Sequence, residues 1–205
     1  MITIIDYGLG NLGSIKNMLK KVGAESEITS DLDKIANATK LILPGVGSFD
    51  NGMKNLEDLG LLGLLNDKVI VQKTPILGIC LGMQLFTNGS EEGTLKGLSW
   101  VDAETTKFIS NSTDKKFTVP HMGWEFMEQC KKSNLLLDMY EEPKYYFVHS
   151  YYVTCNDSND VLLKTNYIHD FVSGFEKDNI IGVQFHPEKS HKFGMKLFKN
   201  FVENY

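Results

Sequence analysis

The chain has 205 residues, of which 42% are hydrophobic and 23% charged, and its formal net charge is −5. These values are typical of one globular domain with a sizeable core, so we expect residues 1–205 to form a single domain. Basic residues cluster no further than lysine pairs, which argues against nucleic acid as a partner. No apolar run reaches the roughly 18 residues of a membrane span, and the first residues lack the pattern of a signal peptide.

The three cysteines, Cys80, Cys130 and Cys155, form an odd and widely spaced set. No pair has the spacing of a C-x-x-C motif, and the histidines show no metal-ligand spacing. We therefore expect free thiols, no metal site and a cytoplasmic location.

The first half of the chain alternates short apolar strands with helices. Strands are predicted at residues 2–5, at 41–43 and at 75–79, and helical spacing is seen from Leu12 to Val22 and around residues 53–65. Short, wholly apolar strands that alternate with helices favour a parallel sheet covered on both faces.

The second half changes character. Residues 98–126 and 145–165 are rich in β-branched and aromatic side chains and predict shorter, partly antiparallel strands. A further buried strand is expected at 179–185. The chain then closes with a helix in which Phe193, Leu197 and Phe201 recur at every fourth position, with Ser190 as its N-cap.

The most informative motif places Cys80 between Gly78 and Gly82, directly after a predicted strand. This is the G-x-S-x-G nucleophile elbow with sulfur in place of oxygen; its glycines permit a strained turn and close backbone contact. The start of the following helix favours a thiolate. We therefore predict that Cys80 is a nucleophile, whereas Cys130 and Cys155 have no comparable setting.

A base and a carboxylate for this nucleophile follow about a hundred residues later. His186 and Glu188 are two residues apart, which would place them on one face of an extended strand. We predict that His186 is the catalytic base and that Glu188 orients it.

Two glycine-rich strand ends remain. Residues 8–13 match G-x-G-x-x-G, which would fit dinucleotide binding, but no nicotinamide chemistry is visible, and we favour a tight turn that serves a partner interface. Residues 44–47 are too short for a P-loop. We expect backbone N–H groups at Val46 and Gly47, together with that of Leu81, to form an oxyanion hole.

Taken together, these motifs resemble those of the class I, triad-type glutamine amidotransferases, and among them the glutaminase subunits of imidazole glycerol phosphate synthase. The resemblance covers essentially the whole chain, with matching segments at residues 6–11, 43–49, 78–84, 90–93, 120–124, 146–151 and 184–190. The cysteine elbow and the His-Pro-Glu segment are common to the whole class, and the other segments narrow the resemblance to these glutaminase subunits.

The resemblance implies a single-domain, flavodoxin-like amidotransferase fold, with a mostly parallel central sheet flanked by helices and a smaller antiparallel region. It implies hydrolysis of L-glutamine to glutamate and ammonia through a γ-glutamyl thioester on Cys80, without a metal or organic cofactor. By the same carry-over, the amino-acid end of glutamine would be recognised by Gln84, by Glu92 and by the backbone of Ser150 and Tyr151.

The resemblance also implies a partner, a (β/α)₈ cyclase subunit that forms a heterodimer with this chain. That partner would use the ammonia to make imidazole glycerol phosphate and AICAR in L-histidine biosynthesis. The implied interface includes Asn11, Trp124 and Lys189. The peptide at residues 45–47 would be poorly oriented until the partner and its ligand bind.

Some residues depart from this pattern and keep alternatives open. Glu125 stands where the family more usually has Asn, and residues 97–104 also resemble paralogues that supply ammonia to a synthase of bacterial surface sugars of the acetamidino type. One other alternative is an elbow-cysteine peptidase or γ-glutamyl hydrolase, against which the segment 120–124 argues. Another is a non-catalytic interaction subunit, against which the intact triad argues.

Overall fold

A computed structural model of the chain describes residues 1–110 and 118–205. Within this part, the strands are β1 (Ile2–Ile5), β2 (Ser26–Thr29), β3 (Lys40–Leu43), β4 (Ile76–Ile79), β5 (Ala103–Lys107), β6 (His121–Phe126), β7 (Glu128–Gln129), β8 (Lys144–His149), β9 (Tyr151–Cys155), β10 (Val161–Asn166), β11 (Asp170–Lys177) and β12 (Ile180–Val183). The α-helices are α1 (Leu12–Lys21), α2 (Leu32–Ala36), α3 (Phe49–Asp58), α4 (Leu61–Asn66), α5 (Leu81–Leu85) and α6 (His191–Asn204). The predicted α/β class is confirmed.

The central sheet has two halves. Strands β2, β1, β3, β4 and β12 lie side by side and run parallel. Beyond β12 the sheet continues through β11, β10 and β7 as antiparallel pairs, and β9 joins β11 to β5. A separate antiparallel ribbon is formed by β6 and β8. The mostly parallel sheet with a smaller antiparallel region is therefore as predicted, although residues 111–117 of the stretch 98–126 lie outside the described part.

Helices cover both faces of the parallel half. One hydrophobic cluster joins α1 and α6 to the sheet through side chains such as Ile15, Leu19 and Phe198. The other cluster joins helices α2, α3, α4 and α5 to the sheet through residues such as Phe49 and Leu65. Because strands with both faces covered have no polar side, β1, β4 and β12 are buried along their whole length.

Two element boundaries differ from the sequence prediction. The helix expected over 53–65 is two helices, because Gly60 adopts a left-handed conformation, with φ of +68°, that ends α3 and starts α4. The strand expected over 179–185 covers only Ile180–Val183. The chain turns after β12 to reach α6, and this turn carries residues that matter for the site.

Candidate active site

The elbow forms at the end of β4, where Cys80 has φ of +54°, a strained value for a residue other than glycine. A Cβ atom at Gly78 would lie 2.6 Å from the ring of Phe86, and one at Gly82 would lie 1.8 Å from the carbonyl oxygen of Leu43. Both positions therefore require glycine, as the motif predicts. The backbone N–H of Cys80 donates to a carbonyl of β12, 2.8 Å away, which fixes the nucleophile beside that strand.

His186 and Glu188 follow β12, the strand next to β4 in the sheet. Nδ1 of His186 lies 2.8 Å from Oε1 of Glu188, and both side chains are buried. The expectation that they share one face of an extended strand was wrong: Pro187–Lys189 is a 3₁₀ turn, and Pro187 lies at its start. Proline suits the first position of a helical turn because it lacks an N–H, so the turn itself brings the carboxylate back to the imidazole.

The imidazole of His186 is poised between two partners. Burial lowers the pKa of His186, but interactions of the ring with Cys80 and Glu188 and their negative charges outweigh it and raise the pKa to about 10. His186 therefore holds a proton at neutral pH when the sulfur is an anion. Since Nδ1 faces Glu188, Nε2 is the nitrogen that can exchange a proton with Sγ of Cys80.

The predicted oxyanion loop, residues 44–47, follows β3 and lies against the elbow. A Cβ atom at Gly45 would lie 2.4 Å from the hydroxyl oxygen of Tyr7 and 2.8 Å from Cβ of Leu81, so only glycine permits this contact. Gly47 has φ of +118°, which also favours glycine. Val46, Gly47 and Leu81 all line one cleft.

That cleft, of about 400 Å³, also brings together the remaining predicted residues. Its lining includes Cys80, His186, Gln84, Glu92, Ser150 and Tyr151. The volume and the mixture of polar groups suit a small amino acid. A larger surface groove, of about 690 Å³, is lined by residues such as Lys131 and Asp178 and contains no triad residue.

Gln84 and Glu92 are both held in place by the fold. Nε2 of Gln84 donates to the carbonyl of Tyr151, 3.2 Å away, and to Oε1 of Gln184, 3.0 Å away. Both N–H groups are then used, which leaves Oε1 of Gln84 for a ligand. Oε2 of Glu92 accepts the backbone N–H of Phe49 at 2.8 Å, at the start of α3. Because that helix end favours negative charge, Glu92 is held next to the oxyanion loop.

The comparisons with known proteins agree with this geometry. A family model described as "Glutamine amidotransferase class-I" matches residues 3–205. The chain belongs to the class-I glutamine amidotransferase family, and within it to the HisH subunits. It is 58% identical to "Imidazole glycerol phosphate synthase subunit HisH 2" of Methanococcus maripaludis and 47% identical to the protein of the same name in Pseudomonas aeruginosa, each match covering 99% of both chains.

Among solved structures, the fold is similar to that of a putative GMP synthase protein from Thermoplasma acidophilum. The TM-score is 0.71 at 20% identity, over 98% of this chain and 91% of that one. At this level of identity the likeness concerns the fold alone, and it confirms the amidotransferase fold predicted from the sequence.

The three predicted interface residues lie near the surface beside this amidotransferase site. Trp124 is 38% exposed and stacks on the ring of His191 at 5.5 Å, while the Nζ of Lys189 lies 5.6 Å from the ring of Tyr146. Asn11 occupies the N-cap position of α1, and its side-chain oxygen accepts a hydrogen bond from the Ser14 hydroxyl. These contacts place Trp124 and Lys189 close to the catalytic turn but leave their predicted role untested.

The G-x-G-x-x-G segment packs against the oxyanion loop. A Cβ atom at Gly10 would lie 3.1 Å from Cβ of Pro44, and the side-chain amide of Asn55 donates to the carbonyl of Tyr7 at 2.9 Å. Gly13, the last glycine of the pattern, has no such close neighbour among the described residues. Gly10 therefore serves a close contact between two loops, which agrees with the tight turn expected from the sequence.

Sequence reasoning missed Gln184 and Tyr7. Nε2 of Gln184 lies 3.6 Å from Sγ of Cys80, and the Gln184 side chain is buried. The Tyr7 hydroxyl is buried and has no hydrogen-bond partner among the described residues, and its pKa is raised by burial and, to a smaller extent, by the charge of Cys80. The available sequence signal for Gln184 was a glutamine two residues before the catalytic histidine. Tyr7 carried no such signal, because only the fold brings it next to the site.

Ser190 occupies the predicted N-cap position of α6 but performs another task. Its hydroxyl donates to the carbonyl of His186 at 2.7 Å and accepts the backbone N–H of Tyr146 at 3.0 Å. It therefore ties the catalytic turn to the β6–β8 ribbon. Within the described residues, no group of three His, Cys, Asp or Glu side chains is arranged to hold a metal, and no helix there is long and apolar enough to cross a membrane.

Proposed function

We propose that this chain is a glutaminase subunit that hydrolyses L-glutamine to glutamate and ammonia and passes the ammonia to a (β/α)₈ cyclase subunit, with which it forms a heterodimer. The observation that supports the chemistry best is the cysteine elbow, which faces the buried His186–Glu188 pair in a cleft of amino-acid size. Full-length identity to HisH subunits of imidazole glycerol phosphate synthase supports the cyclase as partner and L-histidine biosynthesis as the pathway.

The reaction follows from the positions of these groups. The Cys80 thiolate attacks the side-chain amide carbon of glutamine, and the new oxyanion is stabilised by backbone N–H groups of Leu81 and of Val46 or Gly47. His186 gives its proton to the leaving nitrogen, so that ammonia departs and a γ-glutamyl thioester remains. His186 then takes a proton from water, which attacks the thioester, and glutamate leaves as the sulfur is released.

Glutamine is recognised by the part of the cleft wall that contains no triad residue. Oε1 of Gln84 and the free oxygen of Glu92 are available for the amino-acid end, and the backbone of Ser150 and Tyr151 completes that wall. We place the partner against Asn11, Trp124 and Lys189. Since the Gly10 turn contacts Pro44, a partner bound at Asn11 would press directly on the loop that carries the oxyanion hole.

A second candidate keeps the chemistry and changes the acceptor to a synthase of surface-sugar biosynthesis. Two sequence features keep this candidate open: Glu125 departs from the histidine-pathway pattern, and residues 97–104 also resemble the surface-sugar paralogues. In either case we expect the three free thiols to be kept reduced in the cytoplasm.

The experiment is a pull-down with a histidine-pathway cyclase and with a surface-sugar synthase, followed by measurement of glutamate release with and without acceptor substrate. We expect the cyclase to bind and to stimulate glutamate release by the chain. Stimulation by the sugar synthase alone would assign the second function. Glutamate release by the isolated chain at the rate of the complex would contradict partner dependence.

A further inference from the structure

Two buried histidines connect the ribbon to the active-site cleft. His121 on β6 and His149 on β8 face each other across the ribbon, and Nδ1 of His121 lies 3.0 Å from Nε2 of His149. His121 is fully buried, and His149 forms part of the cleft wall. The mechanism above uses neither ring.

The hydrogens of this pair can be placed by elimination. Nδ1 of His149 lies 2.7 Å from the carbonyl oxygen of Tyr151, which can only accept, so this nitrogen carries the hydrogen. Burial lowers the pKa of His149 to about 3 and that of His121 to about 4, so both rings are neutral at neutral pH. Nε2 of His149 is then an acceptor, and Nδ1 of His121 must donate to it.

The line of hydrogen bonds continues to the nucleophile. The carbonyl of Tyr151 also accepts from Nε2 of Gln84, whose other N–H donates to Oε1 of Gln184. Nε2 of Gln184 in turn lies 3.6 Å from Sγ of Cys80. The Tyr151 carbonyl is the junction, because it holds the imidazole of His149 on one side and the glutamine-binding amide of Gln84 on the other.

The other end of the line lies beneath an exposed apolar face. Side chains of β6 alternate, so that Met122, Trp124 and Phe126 are exposed while His121 is buried. The ring of His121 also stacks on Phe147 and Tyr167 at 5.1 and 3.8 Å, which leaves it little freedom to move independently. A shift or twist of β6 therefore moves His121 with it.

We propose that His121 and His149 are positioning residues that carry the placement of the β6–β8 ribbon to the Tyr151 carbonyl and thereby set the affinity for glutamine. This inference rests on the proposed glutaminase function and on a partner that contacts Trp124. Its consequence is that the ribbon and the glutamine wall act as one mechanical unit, so that partner docking on the outer face tightens the cleft on the inner face.

The test compares His149→Phe with His149→Asn in the full chain bound to its barrel partner. Asparagine can present an N–H near the position of Nδ1, whereas phenylalanine keeps the ring without any donor. We expect His149→Phe to raise the KM for glutamine about tenfold, the effect of one lost buried hydrogen bond, with a much smaller change in kcat. His149→Asn should restore most of the affinity.

The same comparison is made at His121, the next residue along the line of hydrogen bonds away from the cleft, with His121→Phe and His121→Asn. We expect His121→Phe to abolish the difference in glutamine KM between the free and the partner-bound chain. His169→Phe is the matched control. The exposed ring of His169 packs near Phe108, as the rings of His121 and His149 do, but it lies outside the line of hydrogen bonds. Wild-type KM in His149→Phe, or an equal rise in His149→Asn and His149→Phe, would overturn the proposal.

A measurement on the wild-type protein keeps the test independent of folding. Nitrogen-15 correlation spectra of the imidazoles should show the hydrogen on Nδ1 in both rings, and both signals should shift when the partner binds. Hydrogens on Nε2, or signals that do not change on binding, would overturn the proposal. A wild-type complex that releases no glutamate would instead count against the proposed function itself.

Discussion

The two halves of the sheet divide the work of the site. The parallel half supplies the reacting groups: Cys80 follows β4 and His186 follows β12, and these strands are neighbours. The antiparallel half and its ribbon supply another part of the cleft wall, through Ser150, which joins β8 to β9, and Tyr151, the first residue of β9. Parallel strand ends meet at one edge by construction, whereas the wall depends on a separate ribbon, whose placement we propose the partner sets. The nucleophile and the base are thus placed by neighbouring strands, whereas partner binding is proposed to act on the oxyanion loop and on the affinity for the substrate.

The largest expected effect comes from the nucleophile itself. Cys80→Ala should reduce partner-stimulated glutamate release by at least about 10⁴-fold, because no thioester can form. Cys130→Ala, which removes an exposed thiol outside the site, should leave the rate unchanged. Glutaminase activity that persists in Cys80→Ala would show that the chemistry does not belong to the parallel half.

Loss of the orienting carboxylate should come next. Glu188→Gln keeps the shape of the side chain but removes the charge that helps to raise the pKa of His186. We expect kcat to fall about 10²- to 10³-fold while the KM for glutamine changes little. A change confined to KM would mean that Glu188 belongs to the binding wall, which would blur the division between the two halves.

The elbow glycine should dominate stability. An alanine at Gly82 would place Cβ 1.8 Å from the carbonyl oxygen of Leu43, so β3 and the start of α5 would have to separate. We expect Gly82→Ala to lower the free energy of unfolding by about 2–4 kcal/mol, measured by denaturant titration. The added Cβ of Gly63→Ala in α4 meets no atom of the described residues within 4 Å, so this substitution should raise stability by about 0.5–1 kcal/mol. Equal effects of the two substitutions would contradict the packing described for the elbow.

The buried histidine pair of the ribbon should make stability depend on pH. The folded-state pKa values of about 4 for His121 and about 3 for His149 lie below the value near 6.5 expected in the unfolded chain. Below about pH 6.5 the unfolded state binds more protons, so stability should fall as the pH drops towards 4, by up to about 1.4 kcal/mol per pH unit for each ring.

His186 acts in the opposite range. Its raised pKa of about 10 contributes stability that is complete below about pH 6.5 and is lost as the pH rises through 10. Denaturation followed from pH 4 to 10 measures both effects. The double variant His121→Asn, His149→Asn should flatten the acid side only, and an unchanged acid slope in that variant would refute the assignment.

The smallest effect concerns Tyr7. Its hydroxyl is buried against Gly45 and forms no hydrogen bond within residues 1–110 and 118–205, so Tyr7→Phe removes an unsatisfied polar group. We expect the free energy of unfolding to stay constant or to rise by up to about 1 kcal/mol, because no hydrogen bond is lost. Thermal denaturation measures this, and a clear loss of stability would show that the hydroxyl has a partner in solution.

The sequence predicts the parallel half far better than the ribbon. The glycines around Cys80 each mark a contact that a Cβ atom would prevent, so the pattern carries the geometry directly. Alternation along β6 predicts which side chains share a face but not which strand pairs with it, so the contact of His121 with His149 could not be read from the pattern.

The catalytic turn shows the same limit at short range. An alternating spacing predicted an extended chain at His186 and Glu188, but Pro187 starts a 3₁₀ turn there. This turn packs closely on α6, because a Cβ atom at Gly194 would lie 1.8 Å from the Pro187 carbonyl oxygen. The spacing identified the correct pair of residues but not the backbone conformation between them.

The most direct test of the division between the two halves is to trap the intermediate. The partner-bound enzyme, mixed with glutamine and quenched in acid during turnover, should carry one γ-glutamyl group, and peptide mass spectrometry should locate it on Cys80. His149→Phe, saturated with glutamine, should carry the same group on the same residue. A γ-glutamyl group on Cys130 or Cys155, or steady turnover without any group on Cys80, would contradict the account.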